Sequence, residues 1–158
     1  MGYISNIRKK VGHEPLIGVG ATILIFNEKN ELLFNLRSDT RNWGIPGGLK
    51  ELNETIEECA IREVKEETNL ALYDLNLLAV LSGEEFYFKY PNNDELDCVI
   101  TVFEARNYEG TLKINDNEST ELKFFSLDNL PQLEARAKII IDKIINGQIK
   151  IQDKINSK

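Results

Sequence analysis

Apolar residues run almost without a break from Leu16 to Phe26 and resume as Leu32, Leu33 and Phe34. The polar stretch Asn27-Glu28-Lys29-Asn30 separates the two runs, which predicts a buried hairpin. A turn-rich segment follows, Arg41-Asn42-Trp43-Gly44-Ile45-Pro46-Gly47-Gly48, and then helical periodicity from Glu54 to Thr68. Strand-like segments come next at 75–81, 85–90, 97–105 and 122–126, parted by Ser82-Gly83, Pro91-Asn92-Asn93-Asp94 and Glu109-Gly110. Apolar Leu133, Ala137, Ile140, Ile141, Ile144 and Ile145 recur at helical spacing and predict a closing helix that stops at Gly147, in the place of a C′ glycine. Strands and helices without regular βαβ alternation predict an α+β layered sheet. The chain divides into an N-terminal segment (1–15), a central domain (16–147) and a polar tail (148–158) expected to fray.

The helix over 54–68 does not sort its charges as a solvated helix does. With Ile56 at zero on a wheel of roughly 100° per residue, Cys59, Ala60, Ile61 and Val64 form a core-facing stripe from roughly 300° to 140°. Glu67 and Glu63 fall inside that arc, at about 20° and 340°, and Glu66 falls on its edge at about 280°. Spaced i, i+3, i+4, the three meet on one face and repel. Partly buried carboxylates need partners, and Arg62 alone is too little charge for three. A hard divalent cation, Mg²⁺ or Mn²⁺, resolves both difficulties because it takes oxygen ligands. The Gly47-Gly48 pair adds a backbone able to take positive φ and to approach a ligand closely.

Composition sharpens this. The chain has 158 residues, enough for one well-buried core, and a net charge of −7. The excess acid is concentrated: between Glu51 and Glu67 stand seven glutamates against Arg62 and Lys65. No basic cluster interleaved with aromatics is present, so a nucleic-acid polymer is not an expected partner. Cys59 and Cys98 form no C-x-x-C and His13 is the single histidine, which leaves no zinc set and makes a reducing cytoplasm the expected setting. The apolar run 16–26 is too short to span a bilayer, and no small-residue cleavage site follows it, so no membrane association is expected.

Residues 48–70 resemble the Nudix box, G-x5-E-x7-R-E-U-x-E-E-x-G-U with U aliphatic. Gly48, Glu54, Arg62, Glu63, Val64, Glu66, Glu67 and Leu70 match, while Asn69 stands where the family has glycine. Asparagine tolerates the left-handed conformation expected after a helix, and Asn53 makes a similar exchange in the loop. The resemblance extends through Trp43-Gly44-Ile45-Pro46 and the late segment 124–131. It implies an α/β/α sandwich around a mixed sheet and a Mg²⁺-dependent hydrolase (Mn²⁺ as substitute) that cleaves a nucleoside diphosphate linked to another moiety X, such as ADP-ribose, a nucleotide sugar or a nucleoside triphosphate. By the same resemblance Glu63, Glu66 and Glu67, with the carbonyl of Gly48, are the expected metal ligands. Arg62 orients them and Glu54 supports the loop. The general base comes from the box or from a later loop, where Glu118 is the candidate and Glu121 the alternative. Arg37, Trp43 and Tyr87 are the candidate substrate contacts, for a phosphate in the first case and for base stacking in the other two. A homodimer is an expectation from the family alone. The alternative to an enzyme is a nucleotide-sensing or partner-binding domain that keeps the fold without catalysis.

Overall fold

A computed structural model describes residues 2–152. The 10-residue strand β1 (Leu16–Ile25) is its axis. Residues 20–25 are buried on both faces, while Ile17 and Val19 near its start are exposed, and the strand pairs in parallel with β8 (Glu95–Ala105), from Leu16 opposite Leu96 to Ile25 opposite Ala105. On its other edge β1 takes β4 (Gly47–Leu49) antiparallel. β6 (Asn76–Leu81) and β7 (Tyr87–Lys89) both pair antiparallel with β8 and complete a mixed sheet. A second sheet orders β10 (Ser119–Phe125), β2 (Leu32–Arg37) and β3 (Trp43–Gly44), and β5 (Ala71–Leu72) pairs with β9 (Tyr108–Glu109).

Alternation along β1 and β8 divides the core in two. Ala21, Ile23, Ile25, Phe103 and Ala105 pack with Cys59, Ala60 and Val64 of α2 (Ile56–Thr68). Leu24, Phe26, Leu96, Cys98, Ile100 and Val102 pack with Ile140 and Ile141 of α3 (Ala135–Ile145). The architecture is therefore the expected α+β fold, helices on both faces of a mixed sheet. Among the described residues no helix is long and apolar enough to cross a membrane.

Two local expectations change, and one helix is added. The runs at 16–26 and 32–34 do not form a hairpin ladder: they touch at a single bridge, Phe26 with Leu32, and then diverge into different sheets. A strand apolar on both faces is suited to a central, partly parallel position, and β8 occupies the edge a hairpin partner would have used. The N-terminal segment carries a helix, α1 (Tyr3–Val11), whose Ile4 packs on the core. The start of the polar tail is anchored as well. Ile149 is buried and its N–H donates to the Lys143 carbonyl, while the Gln152 N–H donates to Glu104. Residues 153–158 of the tail lie outside the described residues.

Replacing Ile149 by alanine removes a buried core side chain, which typically costs about 2–5 kcal/mol. At about 2–4 °C per kcal/mol for a domain of this size, thermal unfolding should shift down by several degrees or more. A frayed tail would leave the melting temperature unchanged.

Candidate active site

Local rules position α2 tightly. Thr55 caps its N-terminus in a reciprocal box: the Thr55 hydroxyl accepts from the Glu58 N–H at 3.0 Å, and the Glu58 carboxylate accepts from the Thr55 N–H at 2.7 Å. Asn69 ends the helix at φ 67°, ψ 7°, the left-handed conformation that its amide side chain tolerates. Asn53 also takes positive φ, at 67°. With both ends fixed, the inward stripe carries Glu67 into the protein at 7% exposure. The side chain of Glu63 is 16% exposed and that of Glu66 is 58% exposed. This is the order the wheel predicts; Ile61, counted in the stripe, is exposed instead.

Gly47 and Gly48 lie in strand β4, not in a turn, and the reason for glycine is closeness of approach. A Cβ on Gly47 would overlap the Ala21 carbonyl of β1, and one on Gly48 would overlap the Glu63 carboxylate. The gap lets the acids of α2 lie directly against the sheet. The Gly47 N–H donates to Glu67 Oε2 at 3.1 Å. The Gly48 carbonyl accepts from the Cys59 thiol at 3.6 Å, a weak donor. Burial pushes that thiol up to about 12.

Arg62 organises the acids. Its guanidinium grips Glu54 through two hydrogen bonds, Nε to Oε2 at 2.9 Å and Nη2 to Oε1 at 2.7 Å. Its Nη1 donates to Glu63 Oε1 at 2.9 Å and to Glu66 Oε2 at 3.4 Å, and its Nη2 reaches the Leu49 carbonyl. Glu54 also accepts from the Glu51 N–H, so loop and helix are tied through one ion pair. That pairing holds Glu54 down at about 2.

Glu63, Glu66 and Glu67 open on one cleft of about 710 Å³, together with Glu51, Asp116 and Glu118, and among the described residues Arg62 is the only basic one on its wall. The imbalance raises the proton affinity of the two buried carboxyls. Burial chiefly, then the Glu66 and Glu118 charges, raise Glu63 to about 7 against the opposing pull of Arg62. Burial, followed by the charges of Glu63, Glu118 and Asp116, raises Glu67 well above the usual carboxylate range, and the Gly47 N–H offsets this only in part. Among the described residues no three acidic, cysteine or histidine side chains are gathered tightly enough to hold an ion as they stand. The donor set nevertheless suits a hard cation, since it is all oxygen, converges on one cleft and carries more negative charge than Arg62 neutralises.

The other candidates separate. Glu118, from the loop before β10, reaches the cleft, whereas Glu121 lies exposed on β10 and does not line it. Arg37 pairs with Asp39 at 2.8 Å and lines a second, smaller cavity. Trp43 does not line the cleft: it packs edge-on against Phe125, centroids 4.9 Å apart, at the margin of the core. Tyr87 is exposed on β7 beside Glu95 and Asp97, also away from the cleft. His13 is exposed and bonds Asp94. Asp116 and Glu51 were not assigned from the sequence. Asp116 shares the polar loop of Glu118, and Glu51 accepts from the Tyr3 N–H at 2.8 Å, a contact made by a helix the sequence reading did not include.

The family model described as NUDIX domain matches residues 16–145. ADP-ribose pyrophosphatase of Methanocaldococcus jannaschii is 37% identical over 113 residues, covering 69% of this chain and 62% of the relative. A putative 8-oxo-dGTP diphosphatase of Bacillus subtilis is 41% identical over 49 residues, 31% of this chain and 33% of the relative. The chain thus spans less than two thirds of the length of these two curated relatives. Among solved structures, a MutT NUDIX hydrolase from Burkholderia pseudomallei superposes with a TM-score of 0.69 at 26% identity, covering 82% of this chain and 98% of that one.

Glu63 and Glu67 hold protons more firmly folded than unfolded, so between about 4.5 and 7 the native state binds more protons and stability falls as pH rises. Glu54 has the opposite sign: its contribution is present above about 4.5 and is lost as pH falls towards 2. Melting of metal-free protein should therefore shift downwards from pH 5 to pH 8. Glu67→Gln should flatten that slope and melt higher at pH 8, by about 2–4 °C for each kcal/mol recovered. A variant as pH-sensitive as wild type would contradict this.

Proposed function

The chain belongs to the NUDIX family, and on that premise we propose that it is a divalent-metal-dependent hydrolase of nucleoside diphosphates linked to a further moiety X. The observation that carries the reading is the buried, underneutralised pair Glu63 and Glu67 facing a cleft beside Glu66 and Glu118. The names of the relatives, ADP-ribose pyrophosphatase and 8-oxo-dGTP diphosphatase, agree with cleavage of a phosphoanhydride.

Glu63, Glu66 and Glu67 would hold Mg²⁺ or Mn²⁺, with the Gly48 backbone lying against the Glu63 carboxylate. When bound, the cation supplies charge neutralisation for the diphosphate and polarises a phosphoryl oxygen. Arg62, fixed by Glu54, sets the reach of Glu63 and Glu66, and the Gly47 N–H fixes one oxygen of Glu67. Glu118 accepts the proton of the attacking water at the cleft mouth. The new P–O bond forms in line with the bridging P–O bond that breaks, leaving a nucleoside monophosphate and the phosphate of X. Arg62 is a positioning residue in this scheme.

A panel of nucleoside diphosphate derivatives with Mg²⁺, with products identified, tests the proposal. Glu118→Gln should lower kcat by about 10²–10⁴-fold, the usual worth of a general base. It should keep the stabilisation that Mg²⁺ gives, which is about 2.7 kcal/mol at a hundredfold excess over Kd. Glu67→Gln should lose both turnover and that stabilisation. Full activity in Glu67→Gln, or no turnover on any substrate by wild type, would contradict the proposal; the second result would point to a nucleotide sensor.

A further inference from the structure

Glu51 lines the acidic cleft, yet its carboxylate is turned to the N-terminal helix α1. Gly2, the N-cap of α1, offers no side-chain acceptor, and the first turn, Tyr3-Ile4-Ser5, carries no acid. Glu51 supplies both from a distant loop. Its Oε2 accepts the Tyr3 N–H at 2.8 Å, and a Cβ on Gly2 would stand 2.6 Å from its Oε1. Gly2 thereby joins Glu51 on the cleft wall. The other end of α1 is fastened to the body of the fold. Arg8, its side chain 13% exposed, donates to the Gly12, Glu14 and Glu95 carbonyls and pairs with Asp94 at 3.7 Å. Ile4 packs on the core between these two ends, so the Tyr3 N–H is presented to Glu51 from a fixed element.

Residue 51 is tied inward as well. Its N–H donates to Glu54 Oε1 at 2.8 Å, and its carbonyl accepts from Lys50 Nζ at 2.9 Å. The same Glu54 oxygen accepts Nη2 of Arg62 at 2.7 Å, and Nη1 of Arg62 donates to Glu63 and Glu66. One run of contacts leads from the first N–H of α1 through Glu51, Glu54 and Arg62 to two of the acids over the cleft.

We propose that Glu51 is a positioning residue, through which α1 holds Arg62, and with it Glu63 and Glu66, in the arrangement the reaction uses. The proposal rests on the hydrolase reading of the cleft. Glu51 shares the cleft wall with five other acids and, among the described residues, a single cation, Arg62. A free carboxylate there would draw on the same guanidinium. The first turn of α1 takes that charge instead and leaves Arg62 to Glu54, Glu63 and Glu66. None of residues 50–53 is buried, so little apolar packing fixes this loop and its polar ties set where Glu54 stands.

Proline at position 3 deletes the one N–H at issue. It suits the first position of a helix, and Gly2 before it is already extended, at φ −75°, ψ 167°. In metal-free protein, solvent exchange of the Arg62 Nε–H, followed by NMR, reads the hold of Glu54 on Arg62 without substrate. Tyr3→Pro should speed that exchange by about 2–30-fold, the span of couplings relayed through such networks. Tyr3→Ala, which keeps the N–H, should not. In a Glu51→Ala background the proline should add nothing, since the bond it deletes is already gone. At saturating Mg²⁺, Tyr3→Pro should lower kcat by the same order and leave KM unchanged, because Arg62 meets the acids rather than the nucleotide. Unchanged exchange in Tyr3→Pro, an equal effect in Tyr3→Ala, or faster exchange with full kcat would overturn the proposal. Faster exchange in Tyr3→Pro when wild type turns over no substrate would uphold the hold of α1 on Arg62 and count against the hydrolase reading alone.

Discussion

The burial of Glu67 beside a half-buried Glu63 is the constraint around which the rest of the site is arranged. A carboxylate nine-tenths withdrawn from water, with one N–H donor and acidic neighbours, is an expensive arrangement for stability alone. Several features of the fold make it tolerable without neutralising it. The glycine strand β4 lets α2 sit close enough for the Gly47 N–H to reach Glu67. The Arg62–Glu54 pair, bidentate and tied to the loop through Glu51, supplies one guanidinium where several acids need charge. Both helix ends are pinned, by the Thr55 box and by Asn69, so α2 cannot rotate its acids into solvent cheaply.

Arg62 thus has two effects on the same cleft. It lowers the repulsion among Glu54, Glu63 and Glu66, and it holds Glu63 and Glu66 at its own nitrogens. A cation held in the cleft would compete with the guanidinium for those two carboxylates, while Glu54, gripped by two bonds, would keep Arg62 in place. Glu67 makes no bond to Arg62 and, of the three acids, is the one with a single backbone N–H in place of a guanidinium.

Much of this was legible in the sequence, and what was not has physical reasons. The wheel placed Glu67 and Glu63 inward and Glu66 at the edge because helical geometry is local, and the left-handed Asn69 followed from the same rules. The alternation expected over 85–90 holds only in part: Phe86 is buried and Tyr87 exposed, but Phe86 lies in a 3₁₀ turn (Glu84–Phe86) ahead of β7, and Tyr90, expected on the same face, is exposed. The false hairpin came from judging two apolar runs by proximity, when a strand apolar on both faces is suited to the sheet centre. Trp43 offered an aromatic next to the box, yet which way it turns depends on Phe125, some eighty residues later. The second cavity was invisible for the same reason, since Asn35, Gly44, Glu134 and Arg136 meet only when β2, β3 and α3 are assembled.

The central claim is that the buried acids of α2 exist to hold a divalent cation. Equilibrium binding of Mn²⁺ at neutral pH, followed by loss of the free-ion paramagnetic resonance signal, tests it without reference to substrate or turnover. The account predicts saturable occupancy in wild type that is abolished or weakened at least about tenfold in Glu67→Gln, with Glu121→Gln behaving as wild type. Equal occupancy in wild type and Glu67→Gln would contradict it.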